Sequence, residues 1–289
     1  MKIKPVIFYF TCLNAMVMSS YGSASPPGSA GKNNIKFLLG LRGGINFTAP
    51  FVLNRYSIFS NTSPTLSPDF KTYDKWYKNL GSQYGLIAMI QLREKTYITL
   101  QPSLATHNFN YTGRYTWVNP QDVSENTTMT FHHKQSLKYA EFPLLFRQDL
   151  TAARFRPYLQ GGGFYSLLQS GMQDIAVTEQ VNSSLVVNQI PEGNRSGSVS
   201  DQVIHTYLGL IAGGGLAYTF DFAMIGLDLQ YKGGLYNITN KANRYSNQSL
   251  LGDTFDVPDD LSLYAWMVSF NVVFSLGLNK PAKGALKCP

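Results

Sequence analysis

Five charged residues, Arg42, Glu141, Arg147, Asp228 and Lys232, lie inside stretches that are otherwise apolar or glycine-rich. Side chains of these types can pair with one another, line a path for ions or move protons, and the direction each one points decides which. The other candidates are weaker as chemistry. His132 and His133 could begin a metal site, but adjacent residues on an extended chain point to opposite faces and do not readily chelate one ion. The segment GDTFDVPDD, 252–260, carries Asp253, Asp256, Asp259 and Asp260. Clustered carboxylates suit hard cations, yet Asp beside Pro and Gly is first a turn former, and the turn is the preferred reading. Two GGG runs, at 161–163 and 213–215, are followed by neither the Lys-Ser/Thr nor the helix of a phosphate loop. These patterns call for no metal and no cofactor.

The elements around the five charges alternate with a period of two. In DLSLYAWMVSFNVVFSLGL, 260–278, Tyr264, Trp266, Val268, Phe270, Val272, Phe274, Leu276 and Leu278 fall on one face. Small and polar residues such as Ser269, Asn271 and Ser275 fall on the other. A period of two means a strand, and this one far exceeds the five or six residues typical, roughly, of soluble sheets. Comparable segments begin near Ile35 and recur at 84–92, 96–111, 135–148, 155–170, 205–220 and 223–236, eight in all. Arg42 falls opposite Leu41 and Ile45, Glu141 and Arg147 opposite Phe142, Leu144 and Phe146, and Asp228 and Lys232 opposite Leu227, Leu229 and Tyr231. Glycine triplets mask the alternation in two segments, where they let a small barrel curve and admit bulky inward neighbours.

Of 289 residues, 14% are charged, well below the roughly 25% of ordinary soluble domains. No apolar run reaches the ~18 residues of a membrane-spanning helix. Lys2 and Lys4, the apolar stretch Val6–Ser20 and Gly22-Ser23-Ala24 have the order of a secretory signal peptide. Residues 1–24 are therefore expected to be removed by cleavage after Ala24, leaving a short linker, 25–34. Cys12 lies in that leader, so Cys288 is the single cysteine expected in the mature chain, without an internal disulfide. Loss of Lys2 and Lys4 takes the formal charge from +7 to +5, a balance that suits an anionic lipid surface. Nothing resembles a nucleic-acid module.

Short connections at 93–95, 149–154 and 221–222 alternate with long ones at 49–81, 112–134, 171–204 and 237–261, rich in Asn, Ser, Thr and Asp. Transmembrane barrels have this asymmetry, with tight periplasmic turns, long outer loops and an even strand count. A soluble lipocalin-like barrel would put its charges outside and its apolar residues inside. Here the charges share a face with the glycines, and the opposite face is nearly free of charge. A charge at mid-bilayer costs roughly 2–4 kcal/mol on the lipid side, so its scarcity there favours the membrane barrel. The expected fold is all-β: an eight-stranded antiparallel up-and-down transmembrane β-barrel over 35–278, with a periplasmic tail, 279–289.

Eight strands enclose an interior just wide enough to be filled by side chains. Buried charges must pair, so Arg42, Glu141, Arg147, Asp228 and Lys232 are expected to form a network that closes the lumen. His132-His133 become a loop-end pair at the membrane rim. An embedded barrel enzyme would need His107 or His205, near strand ends, to converge with Asp or Ser at the barrel mouth. No motif of such an enzyme is present, and no catalytic residue is expected. Asp256, in a loop, is expected to matter far less to stability than Glu141.

The stretch YAEFPLLFRQDLTAARFRPYLQGGGFYSLL, 139–168, resembles the PorT-like outer-membrane β-barrel family of Bacteroidetes-type bacteria. Tyr139, Glu141, Pro143, Leu144 and Leu145 match a Y-x-E-x-P-L-L strand. Arg156, Pro157, Tyr158, Gly162 and Leu168 match the strand after the turn, and LRGGINF at 41–47 approximates the family's opening strand. The resemblance implies a barrel of the Gram-negative outer membrane, without implying its namesake's secretion role. The partners expected are outer-membrane lipid, including anionic lipopolysaccharide, and an envelope or extracellular protein met through the loops. A structural or loop-mediated binding role is expected, with a narrow porin-like channel for small solutes as the alternative.

Overall fold

The computed structural model describes residues 36–57, 71–118, 126–182, 187–247, 254 and 256–276. The expected leader and its Ala24 cleavage site, the linker 25–34, Asp253 and the tail 279–289 lie outside the described residues. Eleven strands form one sheet: β1 (Lys36–Asn54), β2 (Lys71–Tyr73), β3 (Leu80–Arg93), β4 (Thr96–Leu100), β5 (Ser103–Val118), β6 (Asn126–Asp149), β7 (Phe155–Asn182), β8 (Val187–Ser198), β9 (Thr206–Thr219), β10 (Ala223–Gly234) and β11 (Asp260–Leu276). All pairings are antiparallel, and the ladder returns to its start. A ring of eight strands runs β1–β3–β5–β6–β7–β9–β10–β11 and closes through β1 with β11.

The three strands beyond the expected eight have separate origins. Segment 96–111 is divided at Gln101-Pro102, because proline has no N–H to give the ladder. Backbone pairing still crosses the break: the Gln101 amide donates to the Pro143 carbonyl at 3.0 Å, and the Leu86 amide to the Pro102 carbonyl at 2.9 Å. β2 and β8 arise within connections expected to be loops, pairing with β5 and β7. β6 and β7 run 24 and 28 residues, more than twice the 9–11 or so needed to cross a bilayer.

The sense of the alternation changes along these tall strands. Low on the ring, Leu41, Leu86, Leu104, Leu144, Leu159, Leu210, Leu229 and Phe270 point outward and are exposed, with no charge among them. Arg42, Glu141, Gln160 and Asp228 point inward. Higher on β5, β6 and β7 the faces trade character. Phe109, Tyr111, Phe131, Ile175 and Val177 are buried inside, while Arg114, His132, Lys134 and Asp174 face out. A wall in lipid needs apolar groups outside, and a wall in water needs them inside. The inversion above Leu104 on β5 and Phe142 on β6 marks where the lipid belt ends.

Candidate functional site: the filled lumen

At the end bearing the short turns, Arg147 Nε donates to Asp149 Oδ1 at 2.8 Å. The Arg147 guanidinium lies 3.5 Å from the centroid of the Tyr158 ring, with Ile87, Met89, Met224 and Val273 packed around the aromatics. Gly215 makes this possible, since a Cβ there would come within 2.6 Å of the Tyr158 hydroxyl. The second GGG run thus provides room for a ring.

One level up, the Lys232 ammonium pairs with Glu141 Oε1, and His107 Nε2 reaches the same oxygen at 3.0 Å. His107 Nδ1 meets Thr48 Oγ1 at 2.8 Å. Phe164 covers the Lys232 ammonium at 4.1 Å, and its ring fills the space a Cβ on Gly209 would occupy. Across the lumen, Arg42 Nη2 donates to Gln230 Oε1 at 2.8 Å and to Ser269 Oγ at 2.7 Å. Arg42 Nε stands 3.8 Å from Asp228 Oδ2, which accepts from Asn271 Nδ2 at 3.1 Å. Thr48, His107 and Glu141 have the order of a nucleophile–base–acid triad. However, Thr48 is fully buried, Glu141 is held by Lys232, and Tyr139, Phe164 and Tyr207 pack above them. The arrangement is a closed hydrogen-bond chain with no face toward a substrate.

Above an apolar layer that includes Phe109, Leu137, Tyr207, Ile211 and Leu263, a second ionic layer caps the interior. Asp256 Oδ1 forms an ion pair with Lys71 Nζ at 2.6 Å, and its Oδ2 accepts from the Tyr111 hydroxyl at 2.6 Å. Asp259 accepts from the Tyr73 hydroxyl and from the Tyr56 amide, both at 2.8 Å. His133 stacks on Tyr111, ring centroids 4.3 Å apart, and its Nδ1 shares a hydrogen bond with the Gln173 amide at 2.8 Å. Beside them Arg244 pairs with Asp260 and covers the Tyr56 ring at 3.3 Å. These groups lie above the lipid belt. Burial holds the His133 imidazole down, to about 4, against the pull of Asp256. Burial pushes the Asp256 carboxyl up, but Lys71, with His133 and the Tyr111 hydroxyl, overrides it and holds the group at about 2.

All five charges singled out in the sequence face the interior, but their partners are not their strand neighbours. Glu141 pairs with Lys232 three strands further round the ring and Asp228 with Arg42 on the far side of β11, while Arg147 turns to Asp149 on its own strand. Asp149 was legible as the next inward position after Arg147. His107 is an interior residue rather than part of a barrel mouth, and His205 is exposed. Of the His pair, His133 belongs to the cap and His132 faces out beside Thr112. Asp256, Asp259 and Asp260 form no metal cluster among the described residues. Each takes a hydrogen bond or ion pair at the capped end, so Asp256, placed by the sequence reading in a loop, is instead a paired side chain of the cap. Lys71 carried no sequence signal, because its strand has three residues.

A sheet closed on itself, with an uncharged apolar belt outside and ionic groups within, defines the class of membrane-spanning β-barrels. The chain belongs to the outer membrane protein beta-barrel domain family, which matches residues 24–240. Among solved structures it is similar to the outer membrane protein OprG from Pseudomonas aeruginosa, with 11% identity and TM-score 0.40 over 83% of this chain and 95% of that one. It is similar to Neisserial surface protein A, at 10% identity and TM-score 0.31 over 82% and 96%. Ail, the attachment invasion locus protein of Yersinia pestis, matches at 10% identity and TM-score 0.30 over 82% and 98%. Likenesses this distant carry no argument about role. Comparison with curated proteins finds no significant match.

Proposed function

We propose that the chain is an eight-stranded, non-enzymatic barrel of the Gram-negative outer membrane, closed to solutes, whose outward end serves a structural or binding role. In this reading the termini and short turns are periplasmic, and the long connections meet an envelope or extracellular protein. Kinship with PorT-like barrels is part of the proposal, supported by the strand matches around Glu141 and Arg156. The observation that carries the closed reading is the stacking of two ionic layers with an apolar layer between them, every central side chain buried. A narrow pore for small solutes is the competing reading. Proteoliposomes loaded with an impermeant polymer and diluted into isosmotic arabinose separate the two. A closed barrel gives no swelling beyond that of empty liposomes, whereas swelling that scales with protein content would establish the pore.

A further inference from the structure

Where the sheet inverts from apolar-out to polar-out, one wall carries a band of exposed cations. Lys134 and Lys138 point outward from β6, with His132 above them and Arg114, opposite Thr130, higher still on β5. Lys75 and Lys78 flank the exposed rings of Trp76 and Tyr77 in a 3-10 turn, 76–78. Trp76 packs edge-on against Phe47 of β1, ring centroids 5.9 Å apart, so the turn lies on the outer surface. Hydrogen bonds and register put the two groups at one height. The Asn108 side chain donates to the Leu80 carbonyl at 2.7 Å, and Asn108 faces Ser136, midway between Lys134 and Lys138. Two acids adjoin the band: Asp174 faces Lys134 across the β6–β7 pair, and Asp74 precedes Lys75. The β10–β11 side instead presents Tyr231, Leu235 and Tyr236.

We propose that this band, Lys75, Lys78, Lys134 and Lys138, is a docking surface for the phosphate groups of anionic outer-leaflet lipid. Its height carries the assignment. The cations begin at Lys138, one alternation above the paired Leu104 and Ala140, where headgroups of lipids packed on the belt must lie. Trp and Tyr favour that interface, and lysine stems can lie along the apolar wall while their ammonium groups reach the phosphates. Each cation held at an anionic surface raises affinity by about fivefold, and salt screens the effect. The proposal rests on the reading that the ring spans the outer membrane with its long connections outward.

The test uses full-length protein in phosphatidylcholine vesicles with spin-labelled phosphatidylglycerol or spin-labelled phosphatidylcholine as probe. The wild type should select the anionic probe and lose that selection with added salt. The variant Lys75→Gln, Lys78→Gln, Lys134→Gln, Lys138→Gln should lose it at constant salt, and the corresponding four Lys→Arg changes should keep it. Should the fourfold variant fail to insert, judged by heat-modifiable gel mobility, the pairs 75/78 and 134/138 are changed separately, each with a partial loss expected. Equal selection by wild type and Gln variants overturns the proposal. So does competition by inorganic phosphate at constant ionic strength, which would make the band a site for free anions. Failure of the membrane reading is distinct, because no motionally restricted lipid of either kind would then appear.

Discussion

The lower and upper parts of the ring solve opposite problems with the same strands. Below Leu104 and Phe142 the surroundings are lipid, so apolar groups face out and Arg42, Glu141, Arg147, Asp228 and Lys232 face in, four of them paired between strands and Arg147 with Asp149 on its own strand. Above, the wall meets water, aromatic and aliphatic side chains turn inward, and the ionic pairs join strands to the segment 256–260. The Glu141–Lys232 and Arg42–Asp228 pairs are buried within the closed ring of paired strands. The upper pairs can reach water if one connecting segment moves. The same kind of contact is therefore expected to be more costly to break below than above.

Glu141→Ala is the most damaging change on this account, because it strands Lys232 and leaves His107 without its acceptor. Removal of one member of a buried pair costs about 3–5 kcal/mol, read as a lowered guanidinium midpoint for protein in lipid. An equal midpoint would mean that the lower pairs are solvated. Acid should act next, and on the upper layer. His133 takes its proton near 6.5 when unfolded and near 4 when folded, so between these values the unfolded chain binds more protons and stability is lost as the pH drops. The loss reaches about 3 kcal/mol at pH 4, and His133→Phe should remove that slope. Asp256, held at about 2 against an ordinary 3.8, keeps its contribution until pH drops below about 4 and loses it from there down.

Asp256→Ala should cost about 2 kcal/mol, less than the buried-pair range because Lys71 can recover water once the segment loosens. A cost as large as that of Glu141→Ala would erase the difference between the two layers. Lys241→Ala marks the bottom of the scale. Its side chain is 67% exposed, 3.6 Å from Asp260, and a surface pair of this kind contributes at most about 1 kcal/mol.

The lower part was legible because lipid enforces a strict rule: a period of two with every charge on one side. That rule located Arg42, Asp228 and Lys232 on single strands and gave the short turns. It could not give their partners, which depend on curvature and register around the ring. The upper part was illegible for a physical reason. There the rule changes sign, so Tyr115, Phe131, Ile175 and Val177 alternate with polar residues in the manner of a soluble sheet, and their stretches read as the connections 112–134 and 171–204. The cap was hidden further, because its acids sit in a segment with turn chemistry, Asp256 through Asp260, and its lysine in the short strand β2. A loop that folds inward leaves no periodic trace.

The claim that the ionic layers close the lumen is tested most directly by planar-bilayer recording of wild type and Glu141→Ala under the same voltage and salt. The account predicts no steady conductance for wild type, and intermittent openings for the variant, whose lower layer has lost the acid between Lys232 and His107. Steady conductance in wild type, with Glu141→Ala changing only ion selectivity, would contradict it and make the charges the lining of a pore.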